Sequence, residues 1–234
     1  MSNVLEVEHL GVRFGATAII RDLSFSVAHA STLAVIGPNG SGKSVLFRSL
    51  IGAIPHEGVI RWAAGVKLGY VPQKLDIERD LPITGRDFLH AKAAISKASE
   101  HDTAHALAEV GLGAQILALP IGAMSGGQFQ RLLVAFALIG GPNVLLLDEP
   151  AAGVDEPGQE QLNEMLRRLA EDEGVTVMLI SHDLSIVYRY ATNVLCLGSS
   201  RPFFGPPETT LTPGTLAELY GTSVGIHIHG ASHN

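Results

Sequence analysis

This sequence predicts an α/β fold built on a parallel sheet, and three observations predict it. Residues 33–36, 144–147 and 176–180 are short uncharged runs rich in Val, Leu and Ile, as expected of strands buried on both faces. Each run ends in polar or glycine chemistry: Gly37, then Asp148-Glu149-Pro150, then Ser181-His182-Asp183. The third observation is scale. A chain of 234 residues, 46% hydrophobic and 17% charged, can bury the core of one large α/β domain, or of one with a modest subdomain.

Residues 4–32 read as short strands with turns at Gly15 and Asp22, forming an antiparallel layer, and residues 60–71 read as more of it. The run 33–36 leads into Gly37-Pro38-Asn39-Gly40-Ser41-Gly42-Lys43-Ser44, after which residues 44–51 read as a helix stopped by Gly52. Residues 74–135 change in texture. Thr84-Gly85-Arg86-Asp87 is a capping start, and residues 88–98 and 103–110 read as helices. Ser125 is a good N-cap, Gly126 and Gly127 expose backbone N–H groups, and residues 128–138 read as a helix with a long apolar face. No internal repeat or long linker is visible.

The formal charge of −7 and a pI near 5.8 give no electrostatic reason to expect a nucleic-acid partner. The single cysteine, Cys196, excludes an internal disulfide framework and sits in an apolar run, which favours a small buried hydrophobe. The N-terminus lacks a basic segment and an apolar core, so no secretory signal is expected. The longest apolar stretch, residues 132–141, is too short to span a bilayer. A cytoplasmic location is expected, with any membrane-spanning helices supplied by another chain.

The glycine-rich loop between strand and helix can turn consecutive N–H groups inward as an anion nest, and the helix start adds its dipole. In such a cradle Lys43 reaches the β- and γ-phosphates of a nucleotide and the Ser44 hydroxyl binds Mg²⁺. Asp148 and Glu149 close an apolar strand, where two carboxylates are costly without partners or work. Asp148 suits the Mg²⁺ shell, and Glu149 suits orienting and deprotonating an attacking water. His182, at the end of the third run, can donate a hydrogen bond to the γ-phosphate.

Ser125-Gly126-Gly127-Gln128 precedes the Asp-Glu pair, and in this order the motifs resemble those of the ATP-binding cassette (ABC) ATPases over nearly the whole chain. Phe14 stands where that family places an aromatic to stack on adenine. Gln73 matches its Q-loop, His182 its H-loop, and Ala151-Ala152-Gly153-Val154-Asp155 its D-loop, with Asp155 acidic. The resemblance implies ATP and Mg²⁺ as ligands, with Gln73 reaching the metal. It also implies a P-loop NTPase (RecA-like) core with an antiparallel β layer and an inserted α-helical subdomain. Residues 1–73 and 136–200 would form the core and layer, 74–135 the helical subdomain with the signature, and 201–234 a C-terminal extension. It further implies a head-to-tail homodimer, since one molecule cannot easily bring two anion-binding helix starts to one phosphate. Met124 replaces the usual leucine, Phe136 stands where many members have an arginine, and Ala151-Ala152 lack the hydroxyl or amide common there.

The stretches 70–84 and 153–159, with Val194-Leu195-Cys196-Leu197, resemble the cassettes of zinc, manganese and iron importers. That implies work at the inner face of the membrane with integral permease subunits and an extracytoplasmic metal-binding protein. An exporter cassette, an importer of another substrate and a soluble non-transport ABC ATPase stay open as alternatives. His227, His229 and His233 fall in the last eight residues; their spacing could serve Zn²⁺, but a terminus whose histidines hold no ligand is the favoured expectation.

Overall fold

The computed structural model describes residues 2–73, 82–198 and 201–221. In chain order, β1 (Asn3–Phe14), β2 (Thr17–Ala28) and β3 (Thr32–Ile36) precede α1 (Lys43–Leu50), β4 (Glu57–Trp62) and β5 (Leu68–Val71). Then come α2 (Gly85–Ser96), α3 (Glu100–Glu109), α4 (Gly126–Leu138), β6 (Val144–Asp148), α5 (Glu156–Glu171) and β7 (Thr176–Ile180). The chain finishes with α6 (Leu184–Tyr190), β8 (Asn193–Cys196), β9 (Phe203–Gly205), α7 (Pro207–Thr210) and α8 (Pro213–Tyr220). No helix among the described residues is long and apolar enough to cross a membrane.

The chain divides into two compact units. The first takes residues 1–6, 26–31 and 61–179. Its strands run β5-β6-β7, with β5 parallel to β6 from Leu68↔Val144 to Val71↔Leu147. Every residue of β6 and β7 is buried, as the uncharged runs required. The expectation that residues 60–71 all belong to the antiparallel layer is corrected here. Only β4 joins that layer; β5 lines up beside β6 instead. Asn143 sets the junction, because Lys67 O accepts from Asn143 N (3.1 Å) and Val144 N (3.2 Å). Gly69 completes it, since a Cβ there would lie 2.8 Å from Ala137 O of α4.

The helices α2, α3 and α4 pack on one another in this unit. Thr84 and Asp87 form the expected capping box on α2. α3 starts three residues ahead of the expected 103, because Ser99 and Asp102 form a second capping box that fixes its first turn.

The second unit takes residues 7–25, 32–60 and 180–234. Here β8 is parallel to β3, from Leu33↔Asn193 to Ile36↔Cys196, and β9 runs antiparallel to β8. Ala34, Ile36, Val187, Val194, Cys196, Leu211, Leu216 and Leu219 form one core. Burial pushes the Cys196 thiol up to about 12, in keeping with an inert hydrophobe. The other sheet has the order β2-β1-β4. The expected turn at Asp22 is absent: Asp22 lies within β2 in the left-handed region (φ 47), as does His9 of β1 (φ 53). His9 Nδ1 meets Asp22 Oδ1 at 2.6 Å, and the paired irregularity lets both strands continue through it.

Candidate active site

In the second unit, β3 delivers the chain into the glycine-rich loop and α1 receives it. Gly37 has φ 150, and a Cβ on it would lie 2.1 Å from Leu197 O, so only glycine fits under that backbone. Gly40 (φ 81) and Gly42 (φ 97) hold left-handed turns that residues with a Cβ resist. Ser41 N donates to Pro38 O (3.2 Å), closing the loop. Lys43 is 6% exposed, and its Nζ donates to Gly37 O (2.8 Å) and Pro38 O (3.0 Å). The ammonium is thereby held over the loop. Ser41 Oγ is buried without a hydrogen-bond partner. Asn39 and Gly40 are exposed at the tip and Ser44 is half-buried.

Gly198 backs the loop, since a Cβ there would lie 2.9 Å from Pro38 Cδ. Phe14 ends β1 with 53% of its surface exposed, a large apolar face open to a flat partner. His182 is exposed at the end of β7. Its backbone is fixed on both sides: Ser181 N donates to Val35 O (3.3 Å), and Asp183 caps α6 by accepting from Ser185 N (2.8 Å).

In the first unit, Asp148 ends β6 almost fully buried (2% exposed). Glu149 follows with φ 51, a left-handed conformation that costs a non-glycine residue about 1–2 kcal/mol. Gln73 Nε2 donates to Glu149 Oε2 at 2.6 Å. Ser125 caps α4: its Oγ accepts from Gln128 N (3.2 Å), and Gln128 Oε1 accepts from Ser125 N (3.0 Å). The Gln128 side-chain oxygen is therefore engaged in the cap, while its Nε2 takes no part in it. A Cβ on Gly126 would lie 2.9 Å from Gly153 O, and one on Gly127 would lie 3.5 Å from Val154 Cγ1. The glycines of the signature thus let α4 begin against the loop 151–155. Asp155 stands at the N-cap of α5, exposed and with no side-chain cap bond.

Each unit therefore gathers its own group. The cradle (Gly37, Pro38, Asn39, Gly40, Ser41, Gly42, Lys43, Ser44), Phe14 and His182 lie in one. Gln73, Asp148, Glu149, Ser125, Gly126, Gly127, Gln128 and Asp155 lie in the other. Sequence reasoning missed Leu197 and Gly198 as the backing of the loop. It also missed Gly153, whose carbonyl is what forbids a side chain at 126. The local signal was slight: one glycine after each apolar or acidic segment. His227, His229 and His233 lie outside the described residues.

The loop fits a nucleotide phosphate. It combines left-handed glycines, a buried lysine, an unpartnered buried hydroxyl and a helix start. Ser44 in one unit, and Gln73 and Asp148 in the other, each carry an oxygen donor of the kind a hard Mg²⁺ ion takes.

A family model described as "ABC transporter" matches residues 20–152. The chain is 38% identical to a protein of Roseobacter denitrificans named "Zinc import ATP-binding protein ZnuC", over 94% of this chain and 85% of that one. Among solved structures, it resembles a transporter assigned to the metal-chelate type of ABC transporter, in an inward-facing conformation. The TM-score is 0.85 at 28% identity, covering 94% of this chain and 89% of the other. The cassette MJ0796, as a post-hydrolysis dimer bound to ADP and Pi, shares the fold. Its TM-score is 0.72 at 18% identity, covering 85% of this chain and 97% of that one.

Proposed function

This chain belongs to the ABC transporter family as an ATP-binding, ATP-hydrolysing subunit, and we propose that it energises import of a divalent transition metal, zinc or manganese, through a separate membrane permease. The observation that carries the cargo is the 38% identity, sustained over 94% of the chain, to a protein named for zinc import.

In this reading Phe14 stacks on adenine. The loop N–H groups, Ser41 and Lys43 bind the phosphates, and Lys43 neutralises charge that grows on the γ-phosphoryl oxygens during transfer. Ser44, Asp148 and Gln73 would hold Mg²⁺, which when bound offsets the phosphate charge. Glu149 orients the attacking water and takes its proton. Gln73 Nε2 donates to Glu149 Oε2, so Gln73 orients the carboxylate while its other oxygen can still accept from water. His182 donates to the γ-phosphate. Ser125, Gly126, Gly127 and Gln128, with Asp155, act on ATP held by a second copy in a head-to-tail homodimer. A dimer bound to ADP and Pi in the related fold supports that step.

Residues 74–135 act as the helical subdomain that meets the permease at the inner face of the membrane, and an extracytoplasmic protein delivers the metal. Movement of Gln73 with that subdomain couples hydrolysis to transport.

The test is metal uptake by cells lacking the chain, complemented with wild type or Glu149→Gln. Zinc or manganese accumulation that only wild type restores supports the reading. Unchanged or increased accumulation removes import and leaves an exporter or another substrate.

A further inference from the structure

We propose a second metal site on this chain, a surface site for a divalent transition-metal ion formed by His105, Glu109 and Glu173. One ligand atom from each lies within 4.8 Å of the other two. His105 Nε2 and Glu109 Oε1 stand 3.7 Å apart. Ligand atoms around a tetrahedral ion with bonds of ~2.1 Å stand roughly 3.4 Å apart, so side-chain rotation alone closes the set. The three residues belong to one unit, and the site is separate from the residues assigned to ATP.

The backbone prepares this convergence. His105 and Glu109 are four apart on α3 and so share a face. Glu173 follows α5 in a turn held by Gly174 (φ 66) and by the bond from Val175 N to Leu169 O (3.0 Å). Glu109 is the last residue of α3, and Glu173 lies two residues past α5. The ends of two helices favour positive charge there.

The surroundings also suit a cation. The three residues border a hollow of roughly 290 Å³ that His101 and Asp102 also line, and none of its described lining residues is a lysine or arginine. Arg168 is nearby, but its guanidinium donates to the backbone carbonyl of Glu109 (3.2 Å), which leaves the carboxylate to face His105. Asp102 is committed to the Ser99 cap and contributes charge rather than a ligand bond. His101, one turn before His105, lines the same hollow. Two carboxylates this close repel each other unless a cation lies between them, and a single exposed imidazole is a weak counter-charge.

One nitrogen and two carboxylate oxygens, open to water, select borderline ions such as Zn²⁺ over Mg²⁺. Bound metal would tie the end of α3 to the turn between α5 and β7. The site stands whatever cargo the transporter carries.

The experiment titrates ZnCl2 into the nucleotide-free full chain carrying His227→Ala, His229→Ala and His233→Ala, so that the terminal imidazoles do not contribute. The same background is then combined with His105→Ala or with Glu173→Gln. We expect one equivalent of Zn²⁺ bound, resistant to excess Mg²⁺, with affinity falling about tenfold or more in each variant. Co²⁺ in place of Zn²⁺ should give a visible absorption band that His105→Ala removes. Circular dichroism checks that these exposed substitutions leave the fold intact. No Zn²⁺ bound in the background chain, or affinity unchanged by both variants, would overturn the proposal.

Discussion

Replacing Gly37 by alanine tests the packing beneath the phosphate loop. The added Cβ would lie 2.1 Å from Leu197 O, where carbon–oxygen contact is normally no closer than roughly 3.3 Å. Neither side can yield easily. Leu197 N donates to Ile36 O at 2.9 Å, and β3 and β8 are paired through Ile36↔Cys196 immediately before. A shift of about 1 Å would break that pairing, and φ 150 is itself unfavourable for an L residue. Overpacking and backbone strain together cost about 3–5 kcal/mol. For a chain of this size, 3 kcal/mol lowers Tm by about 6–12 °C. Gly40→Ala is the control. Its φ is 81, but a Cβ there meets nothing within 4 Å, so it carries only the left-handed penalty of about 1–2 kcal/mol, or roughly 2–8 °C. Both variants are followed by thermal unfolding without nucleotide. If Gly37→Ala melts within about 2 °C of Gly40→Ala, the Leu197 carbonyl is not the constraint and the reasoning fails.

Three more outcomes follow from the same geometry. Ser125→Ala removes the cap on α4 and leaves Gln128 N without its acceptor, so stability should fall by about 1 kcal/mol, while Ser125→Asp should restore most of it in a denaturant titration. His9 should titrate above its ordinary value because Asp22 hydrogen-bonds and attracts it, and Asp22→Ala should remove the shift in an NMR titration. The sign is that of a raised histidine: the pair favours folding below the unfolded pKa near 6.5, and its contribution disappears as pH rises through the folded pKa. Cys196, pushed up to about 12 by burial, should resist thiol reagents near pH 8 in the native chain and react at once in denaturant; any stability it contributes as a neutral thiol declines as pH rises from about 9 to about 12.

Much of this fold was legible because its signals are local. The runs at 33–36, 144–147 and 176–180 announce buried strands by composition, and the glycines, lysine and serine of the loop announce an anion site by spacing. Ser125 with Gln128, and Thr84 with Asp87, are capping boxes written within four residues. What escaped depends on partners far away in the chain. Residues 68–71 resemble any short apolar strand, and only Lys67 meeting Asn143 assigns them to the parallel sheet. Asp22 looks like a turn residue until His9 supplies a partner across the sheet. The need for glycine at 37 comes from a carbonyl 160 positions later, and at 126 from Gly153. The box at Ser99 and Asp102 was local and was overlooked, which shifted the start of α3.

The register of β5 connects these points to the chemistry. Val71 faces Leu147 in a parallel pair, so the two strands leave the sheet side by side. Two residues further along each chain stand Gln73 and Glu149, and their side chains meet at 2.6 Å. The contact is thus set by strand pairing rather than by attraction between two exposed groups. A slip of β5 by one residue would turn its side chains to the opposite face and take Gln73 away from Glu149. The left-handed backbone at Glu149 belongs to the same arrangement, because Glu149 O accepts from Ala152 N (3.1 Å) as the chain turns into the loop that meets Gly126. Gln73, Glu149 and the start of α4 are therefore linked through a few backbone positions within one unit. A change that moves Gln73 acts on a carboxylate whose backbone is already held by the loop beneath the signature.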